Sequence, residues 1–371
     1  MSKVLIHRGY KYRLYPNRAQ REALAQTFGC CRYVYNWGLD RKNTVYTETG
    51  KTLSIYDLSK ELTALKKEKD KLWLKDVLRA PLIQSLRHLD TAFEKFFKKQ
   101  GGYPQFKKKH GRQSTGYVKD CFRITDRGIR LYKMPGEVKV RFSRPLPKGG
   151  EIRKAVVSID SAGRYFVSIT VIEEIATLPP LKAKIGIDLG LTHFATISTG
   201  EKIDNPRHFD RHYKRLRRAQ KSLSRKKKGS KNRDKARRKV VRIYARIEDA
   251  RKDFLHKLST RLISENQAIG TERLRVRNMI KNRRLSRHIG NAGWGEFVRM
   301  LQYKADSYGR DVVKADPIFA SSKTCSVCGH RIDELPLGIR QWTCPKCSTI
   351  HDRDINAAIN IKNHTVGMTG L

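Results

Sequence analysis

The stretch from Cys325 to Ile361, CSVCGHRIDELPLGIRQWTCPKCSTIHDRDINAAINI, carries the most specific pattern in this chain. It contains two Cys-x-x-Cys pairs separated by fifteen residues, and their members are Cys325, Cys328, Cys344 and Cys347. This spacing is typical of a zinc ribbon, in which four thiolates surround one tetrahedral Zn²⁺ ion. Because four cysteines leave no open coordination position for a substrate, we expect the zinc to be structural.

Other histidines and cysteines leave alternatives open. His330 and His351 could each replace a thiolate, although both fall outside the symmetric spacing. The remaining cysteines, Cys30, Cys31 and Cys121, are expected to pack as small apolar side chains. The total of seven cysteines is odd and no secretory signal is evident, so metal binding in a reducing cytosol is favoured over disulfides.

The charge of the chain points to a polyanionic partner. Lys and Arg number 80 against 35 Asp and Glu, which gives a formal net charge of +45 at pH 7. Nucleic acid is the expected partner, because so many bases imply contact with many phosphates. A membrane surface would compete, but no apolar run reaches the roughly 18 residues of a transmembrane span. We therefore predict a cytoplasmic, nucleoid-associated protein.

The longest basic segment is a candidate for phosphate contact. Residues 207–264 follow a helical apolar stripe that Gly229 and Ser230 interrupt, so we predict a helical hairpin. A solvated charged face usually mixes signs, whereas bases far outnumber acids on the faces away from this stripe. The residues expected to hold phosphates are Arg217, Arg218, Lys226, Lys227 and Lys228.

A second candidate for nucleic-acid contact is the segment GGYPQFKKKHGRQ, where aromatic residues alternate with bases. Tyr103 and Phe106 could stack on nucleobases while Lys107 and Lys108 hold phosphates. The alternative is a solvated basic loop whose aromatic side chains anchor it to the protein core.

Periodicity divides the rest of the chain into strands and helices. The N-terminal segment VLIHRGYKYRLYP alternates like a strand, and short alternating runs between residues 121 and 180 indicate further strands of a small antiparallel barrel or sandwich. Between them lie two amphipathic helices, one beginning near Asn17. The second, PLIQSLRHLDTAFEKFFKK, has an apolar stripe from Leu82 to Phe97 that we expect to face inward.

Three carboxylates predict a second metal site. Asp188 lies in a predicted β-hairpin, Glu272 ends a short strand, and Asp354 opens a helix. Each is a weak signal alone, but a strand Asp, a strand-end Glu and a helix-borne Asp, in this order, match the ligands of the ribonuclease-H-like fold. If they converge, divalent cations must offset their repulsion. Two Mg²⁺ ions could then activate a water and stabilise the leaving oxygen of a phosphodiester.

These motifs resemble those of the TnpB family, transposon-encoded RNA-guided nucleases related to type V CRISPR effectors. The similar stretches lie in order along nearly the whole chain and are YRLYPNRAQ, RYVYNWGL, YPQFKKK, GIDLGLTHFAT, GTERLRVRNM, WGEFVRMLQYKADSYGRDVVKADP, the cysteine pairs and HDRDINAAINI. By motif match, the resemblance implies that Asp188, Glu272 and Asp354 are the magnesium-binding catalytic acids, with Asp352 as the alternative to Asp354. One departure is Arg273, where many relatives carry an acid.

The resemblance also implies a mixed α/β multidomain organisation. The expected domains are an N-terminal β-barrel (wedge) domain at 1–15 and 121–180, a helical recognition lobe at 16–120, a RuvC nuclease domain of ribonuclease-H-like fold at 181–322 and 351–371, and an inserted zinc ribbon at 323–350. The basic hairpin would belong to the nuclease domain. The ribbon would hold the last helix so that its carboxylate reaches the other two.

The function implied by the resemblance is cleavage of double-stranded DNA directed by a guide RNA derived from the transposon end. Base pairing would read the target, while the protein would read only a short flanking motif. Two other functions stay open at this point. One is a guided DNA-binding repressor whose nuclease is silent, which the presence of all three acids disfavours. The other is a DNA-joining transposase of the same fold.

Overall fold

A computed structural model describes residues 3–336 and 338–367 of the chain. It divides into two compact units, of which the first spans Leu5–Glu174 and the second contains Lys3, Val4 and the described chain from Ile175 onward. Among the residues described, no helix combines the length and the apolar character needed to cross a membrane.

The first unit contains a sheet and a helical layer. Its elements are β1 (Lys3–Tyr15), α1 (Arg18–Thr49), α2 (Ile55–Leu65), α3 (Arg79–Phe97), β2 (Gln113–Val118), β3 (Phe122–Ile124), β4 (Gly128–Leu131), β5 (Glu137–Arg141), β6 (Glu151–Ile159) and β7 (Tyr165–Ala176).

The seven strands form one sheet in the order β2-β6-β7-β1-β5-β4-β3. A short 3₁₀ turn at Lys119–Cys121 joins the two edge strands, β2 and β3, so the sheet curls until it is nearly closed. Side chains such as Tyr12 and Val167 fill its interior. Strand β2 precedes residue 120, so the sheet includes residues that the sequence prediction assigned to the helical segment. Pairing with β6 places them there, because main-chain hydrogen bonds override their weak local pattern.

Helix α1 ties the helical layer to the sheet. Its N-cap, Asn17, accepts a hydrogen bond from the Gln20 main-chain N–H at 2.9 Å, and the Gln20 side chain accepts one from the Asn17 N–H at 3.0 Å. This capping box confirms the predicted helix start. The Gln20 amide also donates to the carbonyls of Pro135 and Glu137 at 2.9 Å. The apolar stripe of α3 is buried at Leu82, as predicted. Phe97, at the end of the stripe, is 69% exposed, so the prediction that Phe97 faces inward is wrong.

The second unit contains the remaining elements. They are β8 (Lys184–Leu189), β9 (His193–Ile197), β10 (Lys202–Asp204), α4 (His208–Ser224), α5 (Lys231–Glu265), β11 (Ala268–Thr271), α6 (Val276–Met279), α7 (Ser286–Ala292), α8 (Trp294–Tyr308), β12 (Asp311–Lys314), β13 (Gln341–Thr343), β14 (Ile350–Asp352) and α9 (Arg353–His364).

A five-stranded sheet in the order β10-β9-β8-β11-β12 organises this unit. The hairpins β8–β9 and β9–β10 are antiparallel, as predicted for the first of them, whereas β8, β11 and β12 run parallel. The strands are largely apolar on both faces because helices cover them, and Ile187, Phe194 and Ile269 are almost fully buried.

Helix α9 lies directly on the two central strands because both carry glycine at the contact. Gly186 and Gly270 are register partners on β8 and β11. A Cβ atom at Gly186 would lie 2.1 Å from the Ala358 carbonyl oxygen and 2.4 Å from the Lys362 nitrogen. One at Gly270 would lie 2.1 Å from the Thr365 hydroxyl. Only residues without a side chain leave room for this helix.

Helices α4 and α5 form the predicted antiparallel hairpin, and Gly229 makes the turn with a positive φ of 83°. Ser230 caps α5 by accepting a hydrogen bond from the Arg233 N–H at 3.1 Å. The apolar stripe closes the hairpin through Leu216 and Ile243. The basic residues on the other faces therefore stay in solvent.

We expect the substitution Gly186→Ala to destabilise the protein by about 3 kcal/mol, because the added methyl group meets main-chain atoms that cannot rotate away. Thermal unfolding of the purified protein checks this. Gly290→Ala is the matched control, since a Cβ atom there meets nothing within 4 Å and should leave the melting temperature nearly unchanged. Equal melting temperatures for Gly186→Ala and the wild type would contradict the role of this contact.

Candidate metal sites

Asp188 and Glu272 are neighbours at the same edge of the five-stranded sheet. The parallel pairing of β8 with β11 sets Ile187 beside Thr271, so the next residue of each strand is an acid. The N–H of Leu189, the residue after Asp188, donates a hydrogen bond to the Glu272 carboxylate at 2.8 Å. The parallel register therefore brings together two acids that are far apart in sequence.

The contact of α9 with the sheet brings the third acid to this edge. Gly186 touches Ala358 and Lys362, and Asp354 lies one helical turn before Ala358, about 6 Å along the axis. Asp188 lies two residues beyond Gly186, about 6.6 Å along the strand. The two offsets are similar in length, and the Asp354 charge raises the pKa of Asp188, so the two carboxylates lie near each other. The structure thus brings all three predicted acids to one place.

Electrostatics show that Asp188 occupies the middle of the three. Burial raises its pKa above the ordinary value, and the Asp354 carboxylate raises it further, while Arg353 and Arg340 partly offset the shift. Burial and the Asp188 charge raise the pKa of Glu272. Oxygen atoms of the three side chains do not all fall within 4.8 Å of one another, so the three acids are spaced more widely than the four cysteines described below.

Asp352, the alternative to Asp354, has a structural role at the start of α9. It is the N-cap of α9 and accepts hydrogen bonds from the N–H groups of Asp354 and Ile355, both at 3.1 Å. Lys202 donates to its other oxygen at 2.6 Å. Burial alone would raise the pKa of Asp352, but these donors hold it below the ordinary value. Asp352 therefore fixes the start of the helix on which Asp354 stands.

The sequence analysis did not predict the arginine side chain that lies at this site. Arg340, just before β13, forms an ion pair with Asp354 at 3.3 Å, and its side chain is 57% exposed. Its position next to the acid depends on the β13–β14 hairpin, in which Gln341 pairs with Asp352. The residues around Arg340 carry no spacing that could have identified it.

The four predicted cysteines do come together. Their sulfur atoms lie within 4.8 Å of one another, and no other group of three or more candidate ligands gathers this tightly in the described part of the chain. The Cys325–Cys347 and Cys328–Cys344 sulfur distances are both 3.6 Å, close to the roughly 3.8 Å edge of a tetrahedral zinc–sulfur site. Donor type and geometry both fit Zn²⁺.

The two knuckles of this cluster are built alike. After the first pair Gly329 adopts a positive φ of 73°, and after the second Ser348 does so at 56°. His351 is not a member of the cluster, but its Nε2 lies 3.0 Å from the Cys325 sulfur and its ring packs on Trp342. A histidine in this place suits a hydrogen bond to a zinc-bound thiolate.

Two asparagines of α9 connect the cysteine cluster to the acids. Asn356 and Asn360, one turn apart, both donate to the Thr324 carbonyl, at 2.8 and 2.6 Å. Asn356 also accepts from the Ser326 N–H at 2.9 Å. Both side chains are buried, so the chain that enters the first knuckle is fastened along the helix that carries Asp354.

The predicted nucleic-acid contacts are all exposed, and two of them also contact the protein. Tyr103 donates to Asn43 at 2.6 Å and packs edge-on against Phe93 and Phe96, while the Lys107 ammonium lies 3.8 Å from the Tyr35 ring centre. The contacts of Tyr103 favour the anchoring alternative for this aromatic side chain, of which 44% is still exposed. Solvent also reaches Phe106, Lys107, Lys108, Arg217, Arg218, Lys226, Lys227 and Lys228.

Comparison with known families matches three stretches of the chain. Residues 166–283 match a family described as "Probable transposase", and residues 294–361 match "Cas12f1-like, TNB domain". Residues 1–51 match a family described as "Helix-turn-helix domain". In the structure this last region is strand β1 followed by the single long helix α1.

Curated relatives cover nearly the whole chain. A Streptomyces pristinaespiralis protein is 47% identical over 96% of this chain and 89% of its own length, and an Escherichia coli protein is 31% identical over 95% and 90%. Both are named "Putative RNA-guided DNA endonuclease", the second with the suffix InsQ. A Methanocaldococcus jannaschii protein that matches 31% of this chain is named as TnpB-like. The chain belongs to the TnpB family.

The fold resembles a solved structure described as the Cas12f1–sgRNA–target DNA complex. The TM-score is 0.59 at 14% identity, and the match covers 93% of this chain and 83% of that one. At this identity the similarity concerns the fold, and it extends over both compact units.

We expect the substitution Cys344→Ser to reduce bound zinc from about one ion per chain to nearly none, because a structural site needs all four ligands. The melting temperature should fall as well, since zinc binding contributes to folding free energy. Elemental analysis of protein purified without chelator measures the metal. Cys121→Ser is the control, because that cysteine lies in the first unit, outside the cluster. Full zinc content in Cys344→Ser would contradict the assignment.

We expect Asp188→Asn to raise the melting temperature at pH 8 without added Mg²⁺. The rise should be about 2–4 °C for each 1 kcal/mol that the substitution adds to the free energy of unfolding. The pKa of Asp188 is raised in the folded state, so its favourable contribution exists at low pH and is lost as pH rises through that pKa. Added Mg²⁺ should stabilise the wild type more than the variant. Asp204→Asn, at a 93% exposed side chain, is the control. A lower melting temperature for Asp188→Asn than for the wild type would contradict the conclusion that the ionised Asp188 carboxylate destabilises the folded state.

Proposed function

We propose that this protein is an endonuclease that cuts double-stranded DNA under the direction of a guide RNA, next to a short flanking motif. The observation that carries the proposal is the convergence of Asp188, Glu272 and Asp354 at one sheet edge of a chain with a net charge of +45. The names of its relatives support RNA guidance, and the guide would derive from the transposon end.

The residues of the carboxylate site fit Mg²⁺, which prefers oxygen ligands and would offset the repulsion seen at Asp188. Two bound Mg²⁺ ions would activate a water and stabilise the leaving oxygen of the phosphodiester. The chain's own contribution is orientation. Leu189 holds Glu272 through its main-chain N–H, and Asp352 fixes the first turn of α9. Arg340 offers a cation to a phosphate that reaches Asp354.

The other parts of the proposal follow from charge and packing. The β8–β12 sheet with α9 would be the RuvC nuclease domain, and the nearly closed sheet with its helices would be the wedge domain and recognition lobe. The exposed bases of the α4–α5 hairpin would bind the phosphates of guide RNA and target DNA. The zinc ribbon would act as a staple, because Asn356 and Asn360 fasten it to the catalytic helix.

A cleavage assay with the copurified RNA tests this function. RNA that accompanies the purified protein is sequenced, and a plasmid carrying its complementary target is incubated with the complex in Mg²⁺ buffer. We expect cutting by the wild type and by Asp204→Asn, and a loss of at least about 1,000-fold for Asp188→Asn. RNA binding by Asp188→Asn should be unchanged, because this carboxylate lies at the metal site and not on the basic surfaces.

Treatment with ribonuclease before the target is added should abolish cutting, since base pairing with the guide selects the site. Undiminished sequence-specific cutting after complete RNA removal would overturn the RNA-guided function. Guided binding without any cutting by the wild type would indicate a repressor. Joined strands in place of cut ends would indicate a transposase.

A further inference from the structure

A cavity of about 310 Å³ adjoins the carboxylate site on the side of Glu272. It begins at Leu189 and Glu272, continues along Arg273 and Leu274, and is closed by the first turns of α8. The proposed cleavage chemistry uses only the carboxylate end of this space. The cavity lies within the second compact unit and is built from contiguous parts of its sheet and of α8.

The inner wall of the cavity is apolar and contains a buried donor without a partner. Trp294 is 3% exposed, and Leu274, Val276 and Val298 pack against the same core. The indole N–H of Trp294 has no hydrogen-bond acceptor among the described residues. This N–H is itself buried, so the apolar surface that a ligand can reach is that of the partly buried Leu274, Val276 and Val298.

The mouth of the cavity is cationic. Arg273 follows Glu272 directly, and Lys314 ends β12 opposite Thr271, at the same sheet edge. Both side chains are exposed, and neither has an ion pair in the described part of the chain. Arg299 adds a third charge, and its contact with Glu296 is long, at 3.9 Å. These three side chains make the mouth of the cavity positive.

We propose that this cavity holds one nucleotide of the DNA strand being cut, next to the scissile phosphate. The inference rests on the proposed nuclease function and adds a substrate subsite to it. The nucleobase lies against Leu274 and Val298, and the neighbouring backbone phosphate lies on Arg273 and Lys314. The volume is at the lower end for small-molecule sites, roughly 300 Å³, which suits one nucleotide and excludes a longer segment.

An apolar interior with a cationic mouth matches the two halves of a nucleotide. Bases gain contact energy on aromatic and apolar walls whatever their sequence, so the subsite does not conflict with target choice by the guide. A free inorganic anion would use the mouth alone and leave the apolar wall without a function. Holding the nucleotide beside Glu272 also fixes the scissile phosphate relative to the acids, which raises the rate of cutting through orientation.

The test uses the complete protein–RNA complex and targets with one abasic nucleotide at each position around the mapped cut. With the wild type, we expect a single abasic position next to the cut to slow cleavage about tenfold. Val298→Phe fills the cavity without changing charge. It should cut the unmodified target about tenfold more slowly and show no further loss with the abasic target. Lys281→Ala, an exposed base that does not line the cavity, should behave as the wild type.

A second variant keeps the test decisive if Val298→Phe does not fold. Arg273→Ala combined with Lys314→Ala changes only exposed side chains. In the wild type, a methylphosphonate at the linkage beside the held nucleotide should slow cutting, and in the double variant it should add no further loss. The subsite is overturned if no abasic position slows cleavage by the wild type. It is also overturned if the abasic nucleotide slows Val298→Phe, or the methylphosphonate slows the double variant, as much as the wild type. A wild type that leaves the unmodified target uncut would overturn the nuclease function and this subsite with it.

Discussion

The contact of α9 with the main chain of two glycines is the constraint on which the rest of the second unit depends. Gly186 and Gly270 sit side by side in the parallel register, and any side chain there would collide with the helix. Because the helix lies so close to the sheet, its first turn reaches the end of β8. A close-packed junction of this kind is rigid, and a metal site that tolerates little displacement needs such a support.

The same geometry creates an electrostatic problem that the surrounding residues moderate. Three acids lie together in a partly buried place. Burial and the Asp354 charge raise the pKa of Asp188, and burial and the Asp188 charge raise the pKa of Glu272. Arg353 and Arg340 reduce this repulsion from the helix and from the ribbon hairpin. In the proposed function, divalent cations bound by the three acids would offset the rest of this repulsion.

The cysteine cluster contributes to this site at a distance. It holds no substrate position of its own, and it acts through the chain that leaves it. Trp342 and His351 pack beside the cluster, and residue 351 is followed at once by the N-cap Asp352. The asparagines of α9 form hydrogen bonds with the chain at the first knuckle, so the ribbon contacts the helix at its start and along its side. The chain that forms the first knuckle and the helix that carries Asp354 are therefore fastened to each other by hydrogen bonds.

Spacing and periodicity are local properties, so the sequence by itself determined the cysteine cluster, the β8–β9 hairpin and the basic helical hairpin. The three acids were predicted from their order along the chain and from the resemblance to the TnpB family, because none of them has a distinctive local pattern. Tertiary structure alone decided the membership of β2 in the first sheet and the exposure of Phe97. It also decided the contacts of Tyr103 with Asn43 and of Lys107 with Tyr35. It also placed Arg340 at Asp354 and built the cavity behind Glu272. These features depend on which segments meet across long stretches of chain, and strand register and helix packing set such meetings without leaving a local pattern.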